Sequence, residues 1–170
     1  MKRLLIGALA AAAPGLALAQ PTAAPTPPPL PPAAIPLTLA AEAAQTAITT
    51  CAGNGYRVTA VIVDAAGAVR LVMAGDGASA RTVEIGTRKA FTAVTLNRPT
   101  AQVAEQIRSD PALAGRVQVD TRMIPWAGGQ PLHNAAGLLV GGIGVSGAPG
   151  GDKDDACATA AVARIQDRLH

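Results

Sequence analysis

An α+β fold built on a mainly antiparallel sheet follows from three observations. Runs of β-forming residues come in pairs joined by short turns, helix-patterned stretches separate those pairs, and no strand–helix–strand unit repeats along the chain. The expected order is helix, hairpin, helices, hairpin, helix, with the helices packed on the sheet. A doubly wound parallel sheet is the architecture to exclude.

The folded unit is expected over residues 38–170. Thr38 is the expected N-cap of the first helix, where Leu39, Ala43, Ala47, Ile48 and Cys51 recur at helical spacing until Gly53-Asn54-Gly55 stops it. Residues 56–63 are rich in β-formers, Asp64-Ala65-Ala66-Gly67 supplies a turn, and residues 69–73 return as the hairpin partner. Gly75-Asp76-Gly77 ends that strand. Ser79 is the expected cap of a helix running to about residue 96, closed by Asn97-Arg98-Pro99, and Thr100 then caps a shorter helix to about residue 108. Asp110-Pro111 reads as a turn and residues 117–126 as short β-like pieces. A buried strand over 138–145 ends in glycines, and a last helix runs from 152 to about 169. Its acidic start (Asp152, Asp154, Asp155) and basic end (Arg164, Arg168) complement the helix dipole.

Two segments precede this unit. Residues 1–19 have the plan of a secretory signal: Lys2 and Arg3, an apolar run from Leu4, a Pro14-Gly15 break and Ala17-Leu18-Ala19 before Gln20. The alternative is an uncleaved anchor, for which the 16 residues from Leu4, interrupted by Pro and Gly, fall short of the roughly 20 that span a bilayer. No later apolar run is long enough to span, so the processed chain is expected in the periplasm or outside the cell. Residues 20–37 are dominated by Pro and Ala and read as an extended linker, with a PxxP-type ligand as the alternative.

Composition narrows the function classes. Apolar residues make up 49% and charged residues 15% of the 170-residue chain, so it is neither a disordered polyelectrolyte nor a coiled coil. Aromatic residues are only 2% of the chain (Tyr56, Phe91 and Trp126), too few for a base-stacking platform. Loss of Lys2 and Arg3 from the 14 basic residues leaves 12 against 11 acidic ones, so no basic surface calls for nucleic acid.

Motifs of catalysis are weak. Gly142-Ile143-Gly144-Val145-Ser146-Gly147 matches GxGxxG after a strand and before a helix. Only 23 residues follow Gly147, however, leaving no room for the second strand whose acid binds ribose about 20 residues on. Close backbone packing, or approach of a ligand or subunit, is the better reading of these glycines. Ser146, His133 and Asp64 could be named as a triad, but Gly144-Val145-Ser146-Gly147 lacks the spacing of a nucleophile elbow. Asp152, Asp154 and Asp155 lack the glycine and distal glutamate of an EF-hand, and the helix dipole accounts for them. No catalytic set emerges, which leaves enzyme activity open.

Three segments carry a resemblance: VIVDAAGAVRLVMAGDGA (61–78), RTVEIGTRKAFTAVTLNRPT (81–100) and GGQPLHNAAGLLVGGIGVSGAPGGDKDDACATAAV (128–162). In this order they resemble the GlcG/HbpS haem-binding family, also seen as the C-terminal domain of PduO proteins. The resemblance implies a three-layer domain, a homo-oligomer and, for exported members, haem. Haem scavenging, storage, slow degradation or redox sensing is the implied function. The alternative is an enzyme or accessory of organic-acid or diol metabolism with a pocket at a subunit interface, and a third class is a purely structural module.

The resemblance implies Thr100 as the iron ligand, with Thr92 as fallback, while N-capping is the competing role of Thr100. On general grounds His is the first choice for haem iron, which brings in His133, read as lying in a hairpin turn, and the terminal His170. Arg88 and Lys89 are candidate partners of haem propionates, against a solvated helix face. Ala74 stands where the family often has Arg. Asp64 fits a turn, and Met73 is a core residue before it is an axial thioether. Cys51 and Cys157 form an even pair in an oxidising compartment, and the family fold implies that their helices lie side by side. A disulfide is expected there; two buried free thiols, or ligation of haem by Cys, are the alternatives.

Overall fold

The computed structural model describes residues 34–170. The predicted signal segment and the linker up to residue 33 lie outside the described residues. Ten elements follow: α1 (Leu37–Gly53), β1 (Thr59–Asp64), β2 (Val69–Ala74), α2 (Arg81–Leu96), α3 (Thr100–Gln106), α4 (Pro111–Val119), β3 (Gly129–His133), β4 (Leu139–Ser146), α5 (Gly151–Ile165) and a final 3-10 turn, Gln166–Arg168. The strands form one antiparallel sheet in the order β2-β1-β4-β3.

The sheet is the middle of three layers. On one face lie α1 and α5, whose Ala43, Ala47, Ala158 and Ala161 pack with Ile62, Ile143 and Val145 of the central strands. Their small side chains let the two helices approach each other, and Cys51 and Cys157 are joined there by a disulfide with Cα atoms 5.7 Å apart. On the other face α2 covers Val61 and Val63 with Ala90 and Val94. Because β1 and β4 are covered on both faces, their sequences run almost continuously apolar or glycine instead of alternating with polar residues.

Gly144 and Gly86 set the α2 contact. A Cβ on Gly144 would collide with the Gly86 carbonyl oxygen, and one on Gly142 would lie 2.6 Å from Val94. Helix backbone thus rests directly on strand backbone, the close-packing role expected for the GxGxxG-like glycines.

Several local expectations need correction. Ile35, assigned to the linker, is buried in the α1–α5 core. Pro36 stands at the α1 cap position, and Thr38 lies inside the helix without a side-chain cap bond. Ser79 makes no side-chain cap; its carbonyl receives the Thr82 N–H at 2.9 Å, and Ala80 holds the α2 cap position. Asp110-Pro111 begins a helix instead of a turn: the Asp110 carboxylate accepts the Leu113 N–H at 2.9 Å, and Pro111 occupies the first turn, where a missing N–H costs nothing. The β-like pieces expected at 117–126 are therefore the end of α4 and a loop. The first strand of the second hairpin is β3, which tolerates Pro131 because it lies at the sheet edge.

Candidate functional site

Helix α2 carries most of the charged residues of interest. Its buried face is set by Thr82, Gly86, Lys89 and Ala93, spaced four, three and four apart, so helical period places Lys89 against the sheet. Lys89 is 2% exposed. Its ammonium donates to Asp154 Oδ2 at 2.7 Å and to the Val145 carbonyl at 2.9 Å. Asp154, in the first turn of α5, also accepts the Ala148 N–H on Oδ1 at 2.9 Å. Burial lowers the Lys89 pKa and raises that of Asp154, and in each the ion pair opposes the shift. Neither the solvated face considered for Lys89 nor the dipole alone for Asp154 describes this pair.

The ion pair floors a cavity of about 430 Å³ between α2 and the start of α5. Arg81, Ile85 and Ser146 line it, Trp126 stands at its side, and Gly147 and Gly150 shape its rim at φ values of 134° and 135°. Neighbouring Asp155 holds the adjoining segment, accepting from Gly128 N–H at 3.1 Å and Gln130 Nε2 at 2.9 Å.

Each predicted ligand residue has partners of its own. Thr92 is fully buried; its hydroxyl donates to the Arg88 carbonyl at 2.7 Å and accepts the Ile124 N–H at 2.8 Å. Thr100 is also fully buried, and Pro99 takes the cap position of α3. The Thr100 hydroxyl instead ties α3 to β3, accepting the Gly129 N–H at 2.8 Å and lying 3.4 Å from the Gly129 carbonyl. His133 ends β3, before the turn it was expected to occupy. Its ring is partly exposed, and Nε2 lies 2.7 Å from the Asn97 amide oxygen. With Nε2 as donor, Nδ1 keeps a lone pair suited to a metal.

Arg88 donates to the Met123 carbonyl at 2.9 Å, leaves its buried Nε without a partner, and lies between two surface cavities. The larger, about 470 Å³, is also lined by Phe91 and Arg122, the guanidinium sitting 4.4 Å from the ring centre. Asp64 caps its own turn, accepting from Ala66 and Ala68 N–H. Met73 packs on the core. The triad named from Asp64, His133 and Ser146 is dispersed among a turn, Asn97 and the cavity wall. No group of three or more His, Cys, Asp or Glu that could hold a metal ion occurs among the described residues, and none of the described helices is long and apolar enough to cross a membrane.

These features define a three-layer α+β domain, clasped by one disulfide, with ligand-sized cavities along one helix. The chain belongs to the HbpS-like family, whose model, described as haem degrading protein HbpS-like, matches residues 35–163. Among solved structures, HbpS is 35% identical, with 91% of this chain and 99% of that one covered at a TM-score of 0.71. A double mutant of HbpS from Streptomyces reticuli is 34% identical over 94% of this chain and 98% of that one, at a TM-score of 0.70. The PduOC:heme complex is 26% identical over 78% of this chain and 95% of that one, at a TM-score of 0.70. No curated protein matches the chain.

Proposed function

We propose that this is an exported haem-binding protein whose task is to hold, scavenge or slowly degrade haem, or to sense redox state through it. The family match over residues 35–163 carries the reading, supported by the fold shared with a haem complex. Export is supported by the signal-like N-terminus and by the disulfide. A homo-oligomer is supported by edge strand β2, where Val69 and Val72 remain 48% and 42% exposed beside an unpaired strand edge.

Of the residues considered for iron, His133 has the chemistry to accept it, because its Nδ1 is free of a hydrogen bond and Asn97 orients the ring. Thr100 would first have to give up Gly129, and Thr92 its two backbone partners. Arg88, with Arg122 and Phe91, offers propionates a guanidinium and an apolar wall. Bound haem would supply the redox and oxygen chemistry, and the protein its placement.

Haemin titration of the purified protein tests this. A saturable shifted Soret band is expected, lost or displaced in His133→Ala, retained in Thr100→Val and weakened in Arg88→Gln. An unsaturable signal would refute haem binding, and loss in Thr100→Val alone would move the ligand to that hydroxyl.

A further inference from the structure

The cavity over the Lys89–Asp154 pair has no role in the haem reading, yet its wall is built for an anion. Ser146 is 4% exposed and its hydroxyl makes no hydrogen bond among the described residues, although it faces this cavity. Among the described residues Arg88 Nε is the one buried side-chain polar atom left without a partner, so the Ser146 hydroxyl is open to the cavity, where a ligand's acceptor would take the place of water. Lys89 uses two of its three ammonium hydrogens, on Asp154 and Val145. Arg81 stands exposed at the mouth with no ion-pair partner among the described residues. Gly151, the first residue of α5, also lines the cavity, and first-turn N–H groups have no intrahelical acceptor.

The carboxylate at the same place is held by the protein itself. Asp154 gives one carboxylate oxygen to Lys89 and the other to Ala148, so both of its oxygens are engaged, while Ser146 and Arg81 still have donors to offer. Ile85 and the half-exposed Trp126 also line the cavity and give it apolar surface suited to a short carbon skeleton. A volume of about 430 Å³ admits one small molecule.

We infer that this cavity is a second ligand site, separate from haem, which binds a small free carboxylic acid: its carboxylate on Ser146, Lys89 and Arg81, its carbon chain against Ile85 and Trp126. A haem propionate would present the same carboxylate chemistry, so the test must tell the two sources apart. Trp126 is the chain's single tryptophan, which makes its fluorescence a local reporter.

Haem-free protein is titrated with butyrate and, as the neutral isostere, with butyramide. Butyrate is expected to give a saturable change in Trp126 emission that butyramide does not, and Arg81→Gln and Ser146→Ala are each expected to weaken it at least about tenfold, or about 1.4 kcal/mol. Both variants are expected to keep the parent's haemin titration and thermal transition, so this site can fail while haem binding stands, or the reverse. Equal responses to butyrate and butyramide, or unchanged butyrate affinity in both variants, would overturn the inference. Loss of haemin binding in Arg81→Gln would also overturn it, by assigning the carboxylate to haem.

Discussion

Lys89 shows how far one residue's role departs from its type. A lysine is among the side chains least often buried whole, and it is tolerated here because Asp154 and the Val145 carbonyl replace water around the ammonium. Breaking such a pair from one side leaves the other charge stranded. Lys89→Met is therefore expected to cost about 3–5 kcal/mol, whereas Lys89→Met combined with Asp154→Leu, which removes both charges, costs clearly less than the single change. Urea denaturation of the parent, both single variants and the double completes the cycle; additive losses would show that the two groups do not stabilise one another. Lys89 was legible as a charged helix residue, and its spacing from Thr82, Gly86 and Ala93 carried the signal for burial. Asp154 could not be found that way, since its partner lies 65 residues away in sequence.

Among the elements, α2 on β4 is the contact with least freedom. Glycines on both sides bring the helix backbone onto the strand, which puts Lys89 within reach of the Val145 carbonyl and opens the cavity beside Ser146. Gly144→Ala forces a methyl group into the Gly86 carbonyl and is expected to destabilise by about 3 kcal/mol, the upper end of what overpacking commonly costs. Gly53→Ala is the control: a Cβ there meets nothing within 4 Å, and the change is expected to stay within about 1 kcal/mol. Equal thermal stability of the two variants would refute the packing account. The second half of the chain was the harder one to read. Asp110-Pro111 serves a turn or a helix start equally well by local preference, and the outcome depended on Val117 joining Val103 and Met123 in a small core. The short segment holding Pro131 lacked strand alternation and became β3 through pairing with β4.

For the whole molecule, the bond between Cys51 and Cys157 closes 106 residues and ties the first helix to the last. Glu42 adds exposed ion pairs to Arg164 and Arg168 across the same helices, a small contribution beside a covalent tie. Reduction is expected to lower unfolding stability by up to about 4–5 kcal/mol, measured by urea denaturation with and without reductant. A Cys51→Ala/Cys157→Ala variant should match the reduced protein, and no difference between oxidised and reduced forms would remove the disulfide from the stability of the fold. By itself the sequence determined the fold class, the first hairpin, the positions of α2 and α5 and the family, because periodicity, turn residues and motif order are local properties of a chain. Only the tertiary structure decided that Lys89 is an internal ion, that the hydroxyls of Thr92 and Thr100 are held by backbone, and that Ser146, Arg81 and Trp126 share a cavity. Those facts depend on which distant residue occupies the space opposite each side chain, and packing assigns that space after the elements have formed.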